Sequence, residues 1–168
     1  MLCELHIDPV DYAGDWSRAK PGDLGLVARA IVSEIRSVPG LDFAGVATIV
    51  YADDETIRRL NRAHRDIDKP TNVLSYPASG HTMLDQREEP AALGDVVLAL
   101  ETIEAEALEL GISAGDHTIH LIVHGILHLL GYDHEQEDEA DVMEARERAI
   151  LAMLGLHDPY PEARCPGE

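Results

Sequence analysis

The sequence "HGILHLLGYDH", residues 124–134, places three histidines within an otherwise apolar run. His124 and His128 are four residues apart, so on a helix their imidazoles share one face and can point at a common position. Gly131 is suited to end that helix, because glycine enters the left-handed conformation at little cost. The chain can then reverse and bring His134 back toward the other two. The stretch therefore predicts a helix, a sharp turn and three converging imidazoles.

Three converging imidazoles favour a metal site. Any one histidine in a core is more often satisfied by a hydrogen bond, but three at this spacing match a metal clamp. His124, His128 and His134 leave a fourth position open, and no cysteine lies nearby to fill it. An open position is typical of catalytic zinc, which lowers the pKa of a bound water to about 7. We expect one Zn²⁺ ion, although three imidazoles also accept nickel or copper.

The histidine spacing is also that of the metzincin zinc peptidases, whose motif is H-E-x-x-H-x-x-G-x-x-H. In that motif the general-base glutamate follows the first histidine, and here Gly125 holds the position. A peptidase without this carboxylate lacks the base of its mechanism. Asp133 or an acid from residues 135–139 stays open as a substitute. A zinc peptidase is the least favoured function.

The alternation of apolar and polar residues predicts one α+β domain over residues 1–155, followed by a loosely ordered tail over 156–168. We expect a small mixed sheet of about four strands packed with about five helices, the metal site lying on a central helix and the turn after it. The predicted strands cover residues 4–8, 43–51, 73–76 and 95–100. The predicted helices cover residues 24–35, 53–65, 103–110, 116–130 and 143–154, and a polar loop covers 77–90.

The charge of the chain bears on its partners. The formal net charge is -19, which argues against a protein that coats nucleic acid through counterion release. Any site for a polyanion must therefore be local, and five of the thirteen Lys and Arg residues fall between Arg58 and Lys69. The N-terminus lacks a signal peptide pattern, no apolar stretch is long enough to span a membrane, and the two cysteines lie at opposite ends. We expect a cytoplasmic protein without membrane contact.

Residues 124–134 resemble the signature of the YbeY family of bacterial rRNA-maturation endoribonucleases, H-G-x-L-H-L-x-G-Y-D-H. Residues 60–77 resemble the family block L-N-x-x-x-R-x-x-D-x-P-T-D-V-L-S-F-P, and residues 93–97 resemble its strand L-G-D-I-x-I. Two positions differ, since Asn72 stands where the family usually has Asp and Tyr76 where it has Phe. The tyrosine keeps the ring, whereas the asparagine removes a charge, so no catalytic role is carried over to position 72.

The resemblance implies a single-strand-specific, metal-dependent endoribonuclease in 16S rRNA 3′-end maturation and ribosome quality control. Its partners would be single-stranded or ribosomal RNA and the small ribosomal subunit with its proteins, and not DNA. By residue it implies His124, His128 and His134 as zinc ligands and Arg65 as the cleft arginine that activity requires. A guanidinium suits that role because it offers a phosphate two parallel donors and stays charged. Judged without the family, Arg65 could equally be a solvated charge at a helix end.

Two nucleophiles and two classes of function fit these residues. The nucleophile is either a metal-bound water or the RNA 2′-hydroxyl. A different class of function is a ribosome-assembly factor with a mainly structural metal site, which the acidic charge supports through attraction to basic ribosomal proteins. Among neighbouring residues, we expect His120 to be packed or to support a ligand rather than to be a fourth ligand. We expect His64 to cap or pack near a helix end rather than to face the cleft. Asp133 is a candidate to orient a ligand imidazole through its second nitrogen.

Overall fold

The computed structural model describes residues 3–37, 43–78 and 91–160. In this part of the chain, four strands and five helices follow one another in the predicted order and close to the predicted positions. The strands are β1 (Cys3–Asp11), β2 (Phe43–Ala52), β3 (Val73–Pro77) and β4 (Ala91–Ala99). The helices are α1 (Leu24–Ile35), α2 (Asp54–Arg65), α3 (Leu100–Leu110), α4 (Ala114–Leu129) and α5 (Glu137–Met153). Most of the predicted loop over 77–90 lies outside the described residues.

The strands form one mixed sheet in the order β1-β2-β4-β3. β1 pairs with β2 and β2 with β4 in parallel, whereas β3 pairs with β4 antiparallel. β1 and β3 are therefore the two edges. The predicted α+β domain with a small mixed sheet is confirmed.

Both faces of the sheet are covered by helices. On one face, α1 packs against β1 and α4 against β3 and β4, with α5 resting on α1 and α4. On the other face, α2 covers a smaller apolar cluster of Ala52, Ile57, Leu74, Val97 and Ala99. Successive residues of β2 and β4 alternate between these two cores, which explains why their sequences are apolar on both faces.

β4 begins earlier than predicted, at Ala91 instead of Asp95, and Leu100 already belongs to α3. The extra residues include Gly94, which has a φ of 137° and lies where the register with β2 shifts. A Cβ at Gly94 would collide with the backbone oxygen of Tyr76 and lie 2.9 Å from Leu129 Cδ2. Glycine thus lets the strand continue past a close approach, which hides its start in the sequence pattern.

The chain continues past α5 along the surface of the same helix. The described part of the expected tail, residues 156–160, packs against α5, and residues 161–168 lie outside the described residues. Across the described ranges, none of the helices is both long and apolar enough to cross a membrane.

Candidate metal centre

The end of α4 places the three histidines. Gly131 follows the helix with a φ of 97°, a conformation that suits glycine. The N–H of Tyr132 donates to the carbonyl of Leu127 and that of Gly131 to His128, both at 3.0 Å. This is the pair of bonds that closes a helix at a glycine. The predicted helix and turn are confirmed, and the reversal brings the His134 ring beside the ring of His128, with centroids 4.9 Å apart.

The histidines form a compact group. His124, His128 and His134 each offer one ring nitrogen, and these three atoms lie within 4.8 Å of one another. The Nε2 atoms of His124 and His128 are 3.0 Å apart. His134 lies on the solvent side, with 58% of its side chain exposed. The group could hold one metal ion.

The partners of His124 and His128 define which nitrogen faces the group. Nδ1 of His124 donates to a carboxylate oxygen of Glu147 at 2.6 Å, and Nδ1 of His128 donates to the backbone oxygen of Tyr132 at 3.0 Å. Because these oxygens only accept, both Nδ1 atoms carry a hydrogen, and in the neutral form of each ring the Nε2 atom presents a lone pair. The two Nε2 atoms lie 3.0 Å apart, close enough to share a proton in a hydrogen bond or, when both rings are neutral, to face one metal ion together. The donor set therefore fits a metal ion.

The protonation of His128 agrees with this arrangement. Burial lowers the pKa of His128, and the neighbouring His124 and His134 lower it further. A neutral imidazole is the form that binds a metal. His128 is thus in its ligand form at neutral pH without having to release a proton.

Glu147 is the buried carboxylate behind the site. Its side chain is 1% exposed. One oxygen accepts from His124, and the other accepts from Nε2 of His120 at 2.9 Å and from the hydroxyl of Tyr160 at 2.7 Å. Burial alone would raise the pKa of Glu147, but these hydrogen bonds outweigh it and lower the pKa to about 2. Glu147 is therefore a buried anion that three donors stabilise.

Glu147 was not among the residues singled out from the sequence. It belongs to the acid-rich segment after His134, where a single glutamate does not stand out. The signal that could have found it is helical spacing, since Met143, Glu147, Ile150 and Leu151 all lie on the buried face of α5. A glutamate on a buried face needs partners, and here they are histidines.

Asp133 lies beside the ligand candidate His134 but makes no hydrogen bond to its ring. Its carboxylate accepts from the backbone N–H of His134 at 2.7 Å and lies 3.6 Å from Nδ1 of the same residue. His124 is oriented by Glu147 instead, and His128 by the carbonyl of Tyr132.

Arg65 and the three histidines line one cleft of about 570 Å³ at the β3 edge of the sheet. Arg65 lies in the last turn of α2 and is exposed. Two other cations of that helix are committed to ion pairs, Arg58 with Asp68 and Arg59 with Glu55. Arg65 makes no ion pair with any residue of the described ranges, so its guanidinium is available to a ligand in the cleft.

The loop after α2 holds Arg65 beside the sheet. Asp66 ends the helix in the left-handed conformation, with a φ of 58°. The amide of Asn61 donates to the carbonyl of Lys69 at 2.9 Å. Arg58 donates twice to Asp68, at 2.8 and 3.2 Å. These contacts fix the path from α2 to β3 and with it the position of Arg65.

Asn72 lines the same cleft and is matched to its surroundings. Its side-chain amide donates to both oxygens of Glu106, at 3.2 and 3.0 Å, and Glu106 also accepts from Nε2 of His117 at 2.6 Å. An aspartate at position 72 would set two carboxylates against each other, which repel at this distance. The asparagine amide, in contrast, donates to the carboxylate oxygens of Glu106.

Tyr76 occupies the position where an aromatic ring was expected. Its ring centroid lies 5.2 Å from that of His64, so His64 packs on an aromatic residue. The Tyr76 hydroxyl is buried and finds no hydrogen-bond partner among the described residues. Burial raises the pKa of Tyr76, and the charge of Arg65 lowers it in part. Tyr76 thus contacts His64 through its ring, and its hydroxyl adds no hydrogen bond within the described residues.

Gly125 lets α4 approach the sheet closely. A Cβ at this position would lie 2.6 and 2.9 Å from the two methyl carbons of Val96 and 3.2 Å from Ser75 Oγ. The Ser75 hydroxyl also donates to the Gly125 carbonyl at 3.2 Å. A glutamate at position 125 would be directed at the sheet and would not fit. The glutamate base of the metzincin motif therefore has no place at position 125.

Replacing Gly125 with alanine is expected to lower the free energy of unfolding by about 1–3 kcal/mol, because the added methyl overpacks against Val96. Gly115 on the same helix is the matched control, since a Cβ there meets nothing closer than 4.0 Å. Gly115→Ala should raise stability by about 0.5–1 kcal/mol through helix propensity. Urea denaturation of both variants measures this. Equal shifts in the two variants would contradict the close packing of Gly125.

The chain is similar in sequence or in fold to several known proteins. The sequence model of the family described as Endoribonuclease YbeY matches residues 22–155. An Endoribonuclease YbeY of Rhodospirillum rubrum is 44% identical over 162 residues, which cover 91% of this chain and 80% of the relative. One of Methylocella silvestris is 46% identical over 142 residues, covering 83% and 78%. A Thermotoga maritima protein solved in solution has the same fold, with a TM-score of 0.54 and 19% identity over 98% of this chain and 99% of its own.

Proposed function

The chain belongs to the endoribonuclease YbeY family and is an endoribonuclease, and from this premise we propose that it cleaves single-stranded RNA with the help of one zinc ion. In this proposal His124, His128 and His134 hold the metal and Arg65 binds the phosphate to be cleaved. The observation that carries it is that Arg65 and the three imidazoles line one cleft.

Three neutral imidazole nitrogens suit zinc and leave one position open to a further ligand. When bound there, a divalent cation supplies a Lewis acid that neutralises charge on a phosphoryl oxygen. The chain itself orients the ligand rings. The Nδ1–H of His124 donates to Glu147, and the Nδ1–H of His128 donates to the Tyr132 carbonyl. The solvent-exposed His134 completes the group from the open side of the cleft.

Arg65 supports phosphoryl chemistry through its fork of donors. A guanidinium binds two phosphate oxygens at once and remains charged at any physiological pH. Since no ion pair with the described residues occupies it, Arg65 can hold the scissile phosphate beside the histidines. Charge that develops on the phosphate during cleavage is then stabilised by a group already in place.

The substrate side of the proposal rests on charge and on the family. With a net charge of -19, the chain as a whole repels RNA, so attraction has to come from local cations such as Arg65. We propose ribosomal RNA as the substrate, at the 3′ end of the 16S molecule, and proteins of the small ribosomal subunit as partners in the cytoplasm. Basic ribosomal proteins would complement the acidic surface.

Metal analysis combined with RNA cleavage tests the proposal. We expect one zinc ion per chain, loss of cleavage of a single-stranded RNA after chelation, and recovery when zinc is added back. Nickel and copper, added in parallel, show whether the site discriminates among these ions. Cleavage that is indifferent to the chelator would contradict the proposal. The product ends identify the nucleophile, because a 2′,3′-cyclic phosphate means that the 2′-hydroxyl attacked and a 5′-phosphate means that water did.

The acidic charge also favours a second candidate, a ribosome-assembly factor whose metal mainly shapes a binding surface. Variants of His128 and Arg65 separate the two functions. If both variants fold and still support rRNA processing as the parent does, assembly is the function and cleavage is incidental.

A further inference from the structure

We infer that Glu147, His120 and Tyr160 form a positioning cluster, which orients the ring of the metal ligand His124. Through Tyr160, the segment 156–160 then contributes to the metal centre. The inference rests on the proposed function, because a metal on the histidines gives the cluster its purpose. None of the three residues touches the RNA or the metal in this proposal. They act through His124.

The first support is the way in which Glu147 is held. Both of its oxygens are engaged, one by His124 at 2.6 Å and the other by His120 at 2.9 Å and Tyr160 at 2.7 Å. A carboxylate bonded on both sides and 1% exposed cannot rotate freely. Its orientation fixes the tautomer and the direction of the His124 ring, so that Nε2 faces the other two ligands.

The second support is the path of the chain after α5. Arg148 donates to Asp158 at 3.2 Å and to the backbone oxygen of Tyr160 at 3.4 Å, and its guanidinium lies 5.4 Å from the centre of the Tyr160 ring. The N–H of Tyr160 donates to Asp158 at 2.8 Å. Arg148 and Asp158 thus clamp the segment onto α5 and bring the Tyr160 hydroxyl to Glu147.

The third support is the source of the donors to the second oxygen of Glu147. The family match ends at residue 155, and Tyr160 lies beyond it. The buried second oxygen of Glu147 still needs donors, because an unsatisfied buried acceptor is costly. His120 supplies one from α4 and Tyr160 supplies the other from the C-terminal segment. This chain therefore completes the support of its metal ligand with a residue outside the matched region.

The test measures zinc affinity in two variants of the cluster by competition with a chelator. Glu147→Gln keeps the size of the side chain but offers only one acceptor oxygen for three donors, and we expect zinc binding about 10–100-fold weaker. Tyr160→Phe removes only the hydroxyl at the periphery, and we expect binding weaker by up to about tenfold. Thermal denaturation shows that each variant is folded before the affinity is compared.

Two control variants change the same chemical groups elsewhere. Tyr51→Phe removes a buried hydroxyl that has no hydrogen-bond partner among the described residues. Glu101→Gln alters a glutamate that accepts from the backbone N–H of Asp54 at 2.9 Å and does not touch His124. Both controls should bind zinc as tightly as the parent. If they weaken binding as much as the cluster variants do, the effect is general and the inference is overturned.

A second measurement uses the metal-free protein. Nitrogen NMR of the histidine rings should find His124 in the single Nδ1–H tautomer in the parent and in a mixture of tautomers in Glu147→Gln. The inference fails if zinc binds the parent but binds Glu147→Gln and Tyr160→Phe equally well, or if metal-free His124 carries its hydrogen on Nε2. A parent that binds no zinc but keeps the Nδ1–H tautomer overturns the proposed function, while the positioning of His124 stands.

Discussion

Replacing His128 with alanine is expected to abolish tight zinc binding and to reduce RNA cleavage by about a thousandfold. His128 is close to both other ligands, with its ring centroid 4.6 Å from that of His124 and 4.9 Å from that of His134. Without it, the two remaining imidazoles leave a half-empty coordination shell. A thousandfold loss corresponds to about 4 kcal/mol of transition-state stabilisation, within the range that a catalytic metal supplies.

Three measurements follow the His128→Ala variant, namely zinc content, cleavage of single-stranded RNA and thermal unfolding with and without zinc. At a zinc concentration of about a thousand times Kd, the parent should gain about 4 kcal/mol of stability, and the variant should gain almost none. His6→Ala is the control, because His6 is an exposed histidine on β1, at the opposite edge of the sheet from the cleft. A variant that keeps both zinc and cleavage would remove His128 from the proposed site.

Replacing Arg65 with alanine is expected to reduce RNA cleavage by about 10²–10³-fold while zinc affinity and stability stay near those of the parent. The side chain is exposed and has no ion pair within the described ranges, so its removal leaves no buried group unsatisfied. What is lost is the pair of donors to the phosphate. Arg65→Lys keeps the charge without the fork and should recover only part of the activity.

Arg59→Ala is the matched control for Arg65→Ala. Arg59 lies on the same helix and is 72% exposed, with Glu55 at 3.6 Å as its partner. Its removal should change stability little, because an exposed ion pair of this kind contributes about 0.2–1 kcal/mol. It should also change cleavage little, because Arg59 contacts no substrate in the proposal. Steady-state cleavage and zinc titration of the three arginine variants decide the matter. If Arg65→Ala and Arg59→Ala were equally active, Arg65 would contribute only as an exposed positive charge and would not bind the scissile phosphate.

The parts of the fold that follow from local rules could be predicted from the sequence. The end of α4 is one of these, since helical spacing and a glycine after the last turn suffice to bring His124, His128 and His134 together. The start of β4 could not be placed in the same way. Gly94 interrupts the apolar pattern, and the reason for that glycine is the backbone of Tyr76, which comes from another strand.

The support behind the histidines depends on contacts between distant parts of the chain. Glu147 is 23 residues from His124 in the sequence, and the carbonyl that orients His128 belongs to no side-chain pattern. The glycine at position 125 also depends on a distant contact. The motif shows that a side chain is missing there, but the reason is the close approach of Val96 on β4. The role of Arg65 could be predicted only because residues 60–77 resemble a family block, since its spacing from other residues gives no such signal.

The two edges of the sheet bear on how this chain behaves beside other copies of itself. An open edge strand presents unpaired backbone groups on which a second chain can add a strand. β1 is nine residues long, and it carries Glu4, Asp8, Pro9 and Asp11. Carboxylates repel an incoming acidic copy, and the proline offers no N–H for pairing. β3 has only five residues and ends at Pro77. Both edges thus discourage intermolecular strand pairing among the described strands.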